Sequence, residues 1–550
     1  MERDKKTAIW GMDVSFMLEG TRRLFPLKPR THRSPKTRHA FGPQVVGFHG
    51  GPHGGESRSF GGLRPATRGF SRDLTKFMKR IPIFLIAAAL LIQAYAAETM
   101  NVLLIISDDM RTELGCYAST LAKTPNLDRL ATMGVRFDRA YCQFPLCGPS
   151  RSSMLTGRHP GTTGVLGNRT WFGAAHPEFV SLPKYFKNNG YTSIGVGKIF
   201  HGGIDDTEAW SVGGQARILA GVPMPKSNTP RAVMEEPAMA KGEKSDRWVV
   251  LEGKGEAHGD YKAADRAIQY LREHKDERFF MGCGFVKPHS PLEAPQSFYD
   301  QWDVSKIPLP VDFAPRPTVP EGFPAGSIRP QNADLFINRD ASPDEARQMI
   351  RAYLASAAFM DWNVGRVLAE VDALGLREKT IVVFWGDHGY QLGEKGKWSK
   401  AGSLWEQGVR TPFIICDPRE KSAGKACARV VQMVDLYPTL VELCGLEQPS
   451  GLEGRSLVPL LGNPALAWDH PAYTVWSEDG KNFTGVMVRT AQWRYGEFYG
   501  RGAGAMLVDP ANDPNELTNL VTDPKHADVV SRLSSLANEY AKGRIPPPTN

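Results

Sequence analysis

Four short apolar runs in this chain each stop at a cluster of charged or polar side chains, and that repetition constrains the fold more than any other feature. "MNVLLIISDDM" carries a buried-type strand at 101–106 into Asp108 and Asp109, and "YTSIGVGKIFHGG" runs into Lys198 and His201. "RFFMGCGFVKPHSP" reaches Lys287 and His289, and Thr380–Trp385 of "TIVVFWGDHGY" reaches Asp387 and His388. Short runs rich in β-branched residues, apolar at successive positions, predict strands covered on both faces. Helix-period segments lie between them at Asn126–Met133, Leu182–Asn188, Tyr261–His274 and Pro343–Leu374. Such alternation predicts an α/β fold with a large, mainly parallel sheet sandwiched by helices. Ligands of such sheets gather at the carboxyl ends of the strands, where all four clusters fall.

Asp108, Asp109, Asp387 and His388 are mostly oxygen donors, which suit a hard divalent cation such as Ca²⁺ or Mg²⁺ better than tetrahedral zinc. Arg151, Lys198, Lys400, His201 and His289 beside that cation would bind a multiply charged anion and could move protons. Together they describe a hydrolase acting on a tetrahedral oxyanion ester, phosphate or sulfate. The stretch Phe144–Arg158, "FPLCGPSRSSMLTGR", adds a nucleophile position. Proline is tolerated in the first turn of a helix, so Cys147 is expected at a helix N-terminus with Arg151 one turn further on the same face.

"LCGPSRSSMLTGR" resembles the C-x-P-S-R…T-G-R signature of type I sulfatases, in which the cysteine becomes formylglycine. The resemblance continues through "SDDMRTELGCY", "TPNLDRLATMGVRFDRAYCQFPLC", "GFVKPHSP" and "GDHGYQLGEKGKWSK", and covers most of 100–465. "LGCY", "VGKIFH" and "DHGYQLGE" are most similar to the iduronate 2-sulfatase branch. It implies an alkaline-phosphatase-like fold and one calcium ion, with Mg²⁺ the lesser choice, held by Asp108, Asp109, Asp387, His388 and residue 147. It also implies that Arg151 steadies the hydrated aldehyde, that Lys198 and Lys400 bind sulfate oxygens, that His201 is a base and that His289 is an acid. The implied partners are a sulfated carbohydrate and a sulfatase-maturing enzyme that reads Cys147, Pro149 and Arg151. Phosphodiesterases and phosphonate hydrolases share this fold, and an unmodified Cys147 would suit a non-catalytic glycan-binding protein; both are alternatives.

The 550 residues allow one large domain and an appendage. The net charge of +8 is misleading: residues 1–77 carry 15 Lys+Arg against 6 Asp+Glu, and Lys79 and Arg80 add two more. Residues 97–550 are thus slightly acidic, which argues against a nucleic-acid surface. Residues 1–77 read as a spurious or disordered extension. From Met78 a basic n-region, an apolar h-region and Ala94-Tyr95-Ala96 form a signal peptide over 78–96, cut near Ala96 for export to the periplasm or medium, with no stable membrane anchor. The catalytic domain is expected over 97–463 and a smaller α+β subdomain over 464–550, ending in a helix at about 525–541. Pro-rich stretches Gly221–Glu243 and Ile307–Asn332 read as walls of the substrate pocket. Of seven cysteines, Cys416 and Cys427 are the nearest plausible disulfide pair, Cys116 and Cys283 read as packing residues, and Cys147 as the odd one. Lys287 and Lys395 are expected to be solvated charges.

Overall fold

Strand β1 (Asn101–Asp108) is buried along its whole length, and its alternating side chains divide between two apolar layers. Val102, Leu104 and Ile106 enter one core, while Leu103 and Ile105 enter the other. β8 (Thr380–Gly386) behaves alike, sending Ile381, Val383 and Trp385 one way and Val382 and Phe384 the other. A strand apolar at every position needs cover on both faces, and each large side chain so buried contributes roughly 1.5–3 kcal/mol. Cover comes from helices α1 (Pro125–Met133), α4 (Gly259–Glu273) and α5 (Pro343–Ala373) on one face. The other face is covered by α2 (Cys147–Thr156), α3 (Leu182–Asn188) and α6 (Leu436–Leu443). This computed structural model describes residues 100–217 and 245–546. The basic leader, the signal-peptide segment and the Gly221–Glu243 stretch lie outside them.

The remaining strands of the main sheet are β2 (Val135–Tyr141), β3 (Thr192–Gly197), β4 (Val212–Gly213), β6 (Phe279–Pro288), β9 (Arg410–Thr411), β10 (Phe413–Cys416) and β11 (Ala426–Gln432). A separate parallel pair joins β5 (Trp248–Leu251) to β7 (Leu292–Pro295). The main order is β11-β2-β10-β8-β1-β6-β3-β4, with β9 paired to β2. β8, β1, β6, β3 and β4 run parallel, as expected, whereas β10 is antiparallel to both neighbours. The large sheet is therefore mixed, flanked by helices on both faces.

α5 starts where the sequence announces it. The Ser342 hydroxyl accepts from the Glu345 amide (3.3 Å), the Glu345 carboxylate accepts from the Ser342 amide (3.2 Å), and Pro343 fills the first helical position. Such a box satisfies two otherwise orphaned donors, and its cap contributes about 1 kcal/mol.

After the main sheet the chain builds a four-stranded antiparallel sheet from β12 (Ala472–Trp476), β13 (Gly485–Arg489), β14 (Arg494–Phe498) and β15 (Gly504–Val508). Helix α7 (Ala527–Ala541) packs Leu533, Ala537 and Ala541 onto Val486, Val488 and Tyr495 of this sheet. Both sheets belong to one compact unit.

Two expectations change here. Cys416 and Cys427 are not a disulfide; all seven cysteines are free thiols. Cys416 lies on β10 and Cys427 on β11, and β2 runs between those strands. Two strand spacings come to about 9.6 Å, beyond disulfide reach. The Cys416 thiol instead donates to the Met133 carbonyl at 3.0 Å. Lys287 and Lys395 are not solvated. Lys287 is 2 % exposed and meets Glu293 at 2.7 Å, and Lys395 is 4 % exposed and meets Asp312 at 2.7 Å.

Candidate active site

Four neighbouring strands deliver the charged clusters to one edge of the sheet. β1 ends on Asp108, and Asp109 turns away with φ +61°, so two successive carboxylates reach the same space. A non-glycine residue in that region costs about 1 kcal/mol or more and persists only where its surroundings hold it. Here the Asp109 amide donates to Asp387 Oδ1 at 3.1 Å, and the Tyr353 hydroxyl donates to the Asp109 carbonyl at 2.8 Å. Asp387 follows β8, its amide donating to the Ser107 carbonyl at 3.1 Å. Lys198 follows β3 and His289 follows β6.

α2 brings the cysteine. Leu146 is its extended cap, so Cys147 occupies the first helical position and Pro149 the third. The Gly148 amide is taken up by Asn168 Oδ1 at 2.7 Å. Cys147 Sγ lies 3.2 Å from Asp108 Oδ1 and 3.4 Å from His388 Nε2. One turn on, the fully buried Arg151 donates from Nε to Asp387 Oδ2 at 2.9 Å and from Nη1 to the carbonyls of Lys198 (2.5 Å) and Ile199 (3.0 Å). Its Nη2 has no hydrogen-bond partner and lies 3.9 Å from Asp108 Oδ2. Arg151 thus keeps one buried donor aimed into the cluster.

The donor atoms of Asp108, Cys147, Asp387 and His388 all lie within 4.8 Å of one another, as do those of Asp108, Asp109, Cys147 and His289. His388 Nδ1 is 2.9 Å from the Gly389 carbonyl and donates to it, which leaves the Nε2 lone pair for a ligand. Three fully buried carboxylates and one imidazole, converging at coordination range, fit a divalent cation. The charges around them are finely split. Burial alone would raise Asp108, yet Lys198, His289 and Arg151 hold it well below the usual carboxylate range. Burial wins at Asp109, pushed up to about 7 despite Lys400.

Lys198 Nζ meets Asp108 Oδ2, and Lys400 Nζ lies 2.7 Å from Asp109 Oδ1 and 3.3 Å from Asp334 Oδ2. Lys400 rides on the 393–405 segment, which the Pro-rich Ile307–Asn332 stretch fastens down. Ile328 bridges Ser403, the Trp398 amide donates to Asn332 Oδ1 (2.9 Å), and Trp405 Nε1 donates to the Ser327 carbonyl (2.9 Å). Lys397, wholly buried, donates to the carbonyls of Arg329 (3.2 Å) and Gln331 (2.8 Å).

His201 and His289 flank this core differently. Burial and the Lys198 charge push His201 down to about 3, so it is a neutral imidazole, and its buried Nδ1 has no hydrogen-bond partner. His289 Nδ1 is 2.7 Å from the Ser290 carbonyl, which leaves Nε2 facing Asp109 Oδ2 at 4.0 Å. Cys147 is 1 % exposed, and burial with the Asp108 charge pushes its thiol up to about 11.

Of the site residues singled out from the sequence, Asp108, Asp109, Cys147, Arg151, Lys198, His289, Asp387, His388 and Lys400 meet in this cluster, while His201 lies on its flank, within reach of the Lys198 and Asp108 charges. Asp334, Ser150 and Asn168 were not singled out. Asp334 sits in a loop with no periodic or motif signal, while Ser150, whose hydroxyl donates to the Asp387 carbonyl, stands inside the cysteine motif itself.

Comparison with known proteins gives matching results. A family model described as Sulfatase matches residues 100–446, and one described as N-sulphoglucosamine sulphohydrolase, C-terminal, matches 393–542. The chain is 34% identical to a Sulfatase of Formosa agariphila over 458 residues, covering 79% of this chain and 86% of that protein. It is 31% identical over 407 residues to the Iduronate 2-sulfatase of Homo sapiens, covering 64% and 70% respectively. A solved structure in complex with D-glucosamine-2-N,6-O-disulfate as its substrate shares the fold, with a TM-score of 0.61, 22% identity and coverage of 81% of this chain and 98% of that one.

Proposed function

The chain belongs to the sulfatase family, near its iduronate 2-sulfatase branch, and is a sulfuric ester hydrolase; from that premise we propose that it cuts a sulfate ester from an iduronate-type sulfated glycan with formylglycine at position 147. One observation carries this reading. The Cys147 side chain stands at a helix N-terminus between Asp108 and His388, with a spare Arg151 donor beside it. A second hydroxyl on that side chain would give Arg151 Nη2 its acceptor.

Asp108, Asp109, Asp387, His388 and residue 147 would hold a divalent cation, Ca²⁺ in this proposal, which supplies the charge that acidifies a hydroxyl and steadies a sulfate oxygen. Lys198 and Lys400 take the other sulfate oxygens; preorganised donors of this kind contribute several kcal/mol each. One hydroxyl of hydrated residue 147, its proton given up to solvent water, attacks sulfur as the S–O bond to the sugar breaks, and protonated His289 gives the proton on Nε2 to the departing alcohol. The remaining hydroxyl then gives its proton to neutral His201, the aldehyde re-forms, and sulfate leaves as its bond to residue 147 breaks. Water rehydrates the aldehyde. A serine there would lack the second hydroxyl and so could not expel sulfate unaided.

A sulfatase-maturing enzyme acting on Cys147 completes the scheme, and export rests on the signal-like segment 78–96. Among the described residues no helix is long and apolar enough to cross a membrane. The domain division at about 463 is supported by the change from the mixed sheet to the antiparallel one. The phosphonate or phosphodiester alternative gains nothing from the relatives above 30% identity, which are sulfatases.

Mass spectrometry of the peptide spanning 140–151 from active enzyme tests the reading directly. An aldehyde at 147, together with sulfate released from a panel of defined sulfated oligosaccharides, is the expected result. An intact thiol in fully active protein overturns it. Cys147→Ala is expected to abolish turnover while leaving the fold unchanged.

A further inference from the structure

A cavity of about 560 Å³ opens where the main sheet meets the C-terminal sheet, away from the catalytic cluster, and its walls hold an excess of arginine. Arg136, Arg139, Arg410 and Arg489 line it against two carboxylates, Asp138 and Glu406. Both carboxylates are already engaged. Asp138 Oδ1 accepts from Arg136 Nε at 2.7 Å, and Glu406 accepts from Arg494 Nη1 at 2.7 Å and from the Tyr141 hydroxyl at 2.8 Å.

Two guanidinium groups, those of Arg139 and Arg410, therefore keep their charge uncompensated. Arg139 Nη1 donates to the Ala491 carbonyl at 2.8 Å, and Arg410 Nε donates to the Asp138 carbonyl at 2.7 Å. Arg489, only 4 % exposed, is spent: it donates from Nε to the Tyr141 hydroxyl at 3.0 Å and from Nη1 to the Thr490 and Trp493 carbonyls, and it pairs with Glu406 at 3.9 Å. A carbonyl satisfies one N–H without neutralising the cation, so the other arms of the Arg139 and Arg410 forks remain for an oxyanion. Between them stand the amides of Gln492 and Asn515, groups suited to sugar hydroxyls. The volume falls within the usual range of a small-ligand site, about 300–1,000 Å³.

We propose that this cavity is a second, non-catalytic binding site that takes an anionic sugar unit, sulfated or uronate, of a glycan. The proposal rests on the glycan reading above and extends it. The site would anchor one unit of the polymer while another is presented to the catalytic cluster, in a chain whose body is otherwise slightly acidic.

The test uses full-length protein and a heparin-derived tetrasaccharide, which carries both sulfate and uronate groups. Binding is measured by calorimetry in a Cys147→Ala background, with and without Arg139→Gln or Arg410→Gln. Each arginine change is expected to weaken the tetrasaccharide about five-fold or more, while kcat/KM for a one-ring aryl sulfate in the Cys147 enzyme stays within about two-fold. Unchanged tetrasaccharide affinity in both variants overturns the proposal, as does an equal loss on the aryl sulfate, which marks a structural role. Inorganic sulfate is the third probe: an arginine-dependent affinity equal to that of the tetrasaccharide means a lone-ion site and overturns the sugar assignment. Failure of the Cys147 enzyme to release sulfate from any glycan, with arginine-dependent binding intact, removes the catalytic reading and leaves this site standing.

Discussion

Replacing Lys397 with methionine tests how the Lys400 segment is held. Lys397 is wholly buried and spends its ammonium on two carbonyls of the Pro-rich stretch. Burial, helped by the Arg329 charge, pushes its pKa down to about 7 from the ordinary 10.5. The unfolded chain then binds one more proton than the folded chain between those two values, so stability rises with pH across that window. The cost of the buried charge is fully present below about pH 7 and fades toward 10.5. The slope approaches about 1.4 kcal/mol per pH unit, or ~2 kcal/mol between pH 7.5 and 9.5. Methionine matches the length and cannot titrate. Chemical denaturation of both proteins at pH 7.5, 8.5 and 9.5 (about one-unit steps) cancels every other titrating group in the difference. The wild type is expected to gain ~2 kcal/mol on the variant over that range. Parallel pH profiles would refute the reasoning, because they require Lys397 to carry the same proton folded and unfolded.

Asp334→Asn is expected to lower kcat/KM for a small sulfate ester by roughly 10- to 100-fold with an unchanged melting temperature, because Lys400 loses the carboxylate that holds it independently of Asp109. Steady-state kinetics and calorimetry check both halves. Glu406→Ala removes one of the two carboxylates that hold the buried guanidinium of Arg494, leaving Glu516 at 2.6 Å, and should cost about 1.5–3 kcal/mol of stability, read from the denaturation midpoint. Dialysis against a chelator is expected to lower the unfolding temperature as well as activity, since three buried carboxylates then lose part of their counter-charge and keep only Lys198, Lys400 and Arg151. Adding back Ca²⁺ should restore both more fully than Mg²⁺; equal recovery with Mg²⁺ goes against calcium.

The site was legible wherever its residues directly follow a strand or share one helix. Asp108, Lys198, His289 and Asp387 sit at the ends of apolar runs, so local pattern and strand direction place them together. The Cys147–Arg151 spacing works for the same reason, being one helical turn. What depends on strand order was not legible. The antiparallel β10, and β2 between Cys416 and Cys427, follow from pairings between segments far apart in sequence. Lys287 and Lys395 were misjudged because a lysine's burial is decided by distant acids, Glu293 and Asp312 in these cases. Asp334 was silent because a loop carboxylate carries no periodicity.

All ten residues of the helix that begins at Cys147 are shielded from solvent, and its thiol has almost no accessible surface. No second protein can grip that segment once the core has closed over it. On the formylglycine reading proposed above, conversion of the thiol is then a matter of timing, a race between collapse of the chain and capture of a still-extended peptide. On that reading, molecules that fold first keep the unconverted thiol, and the yield of working catalyst is set during biogenesis.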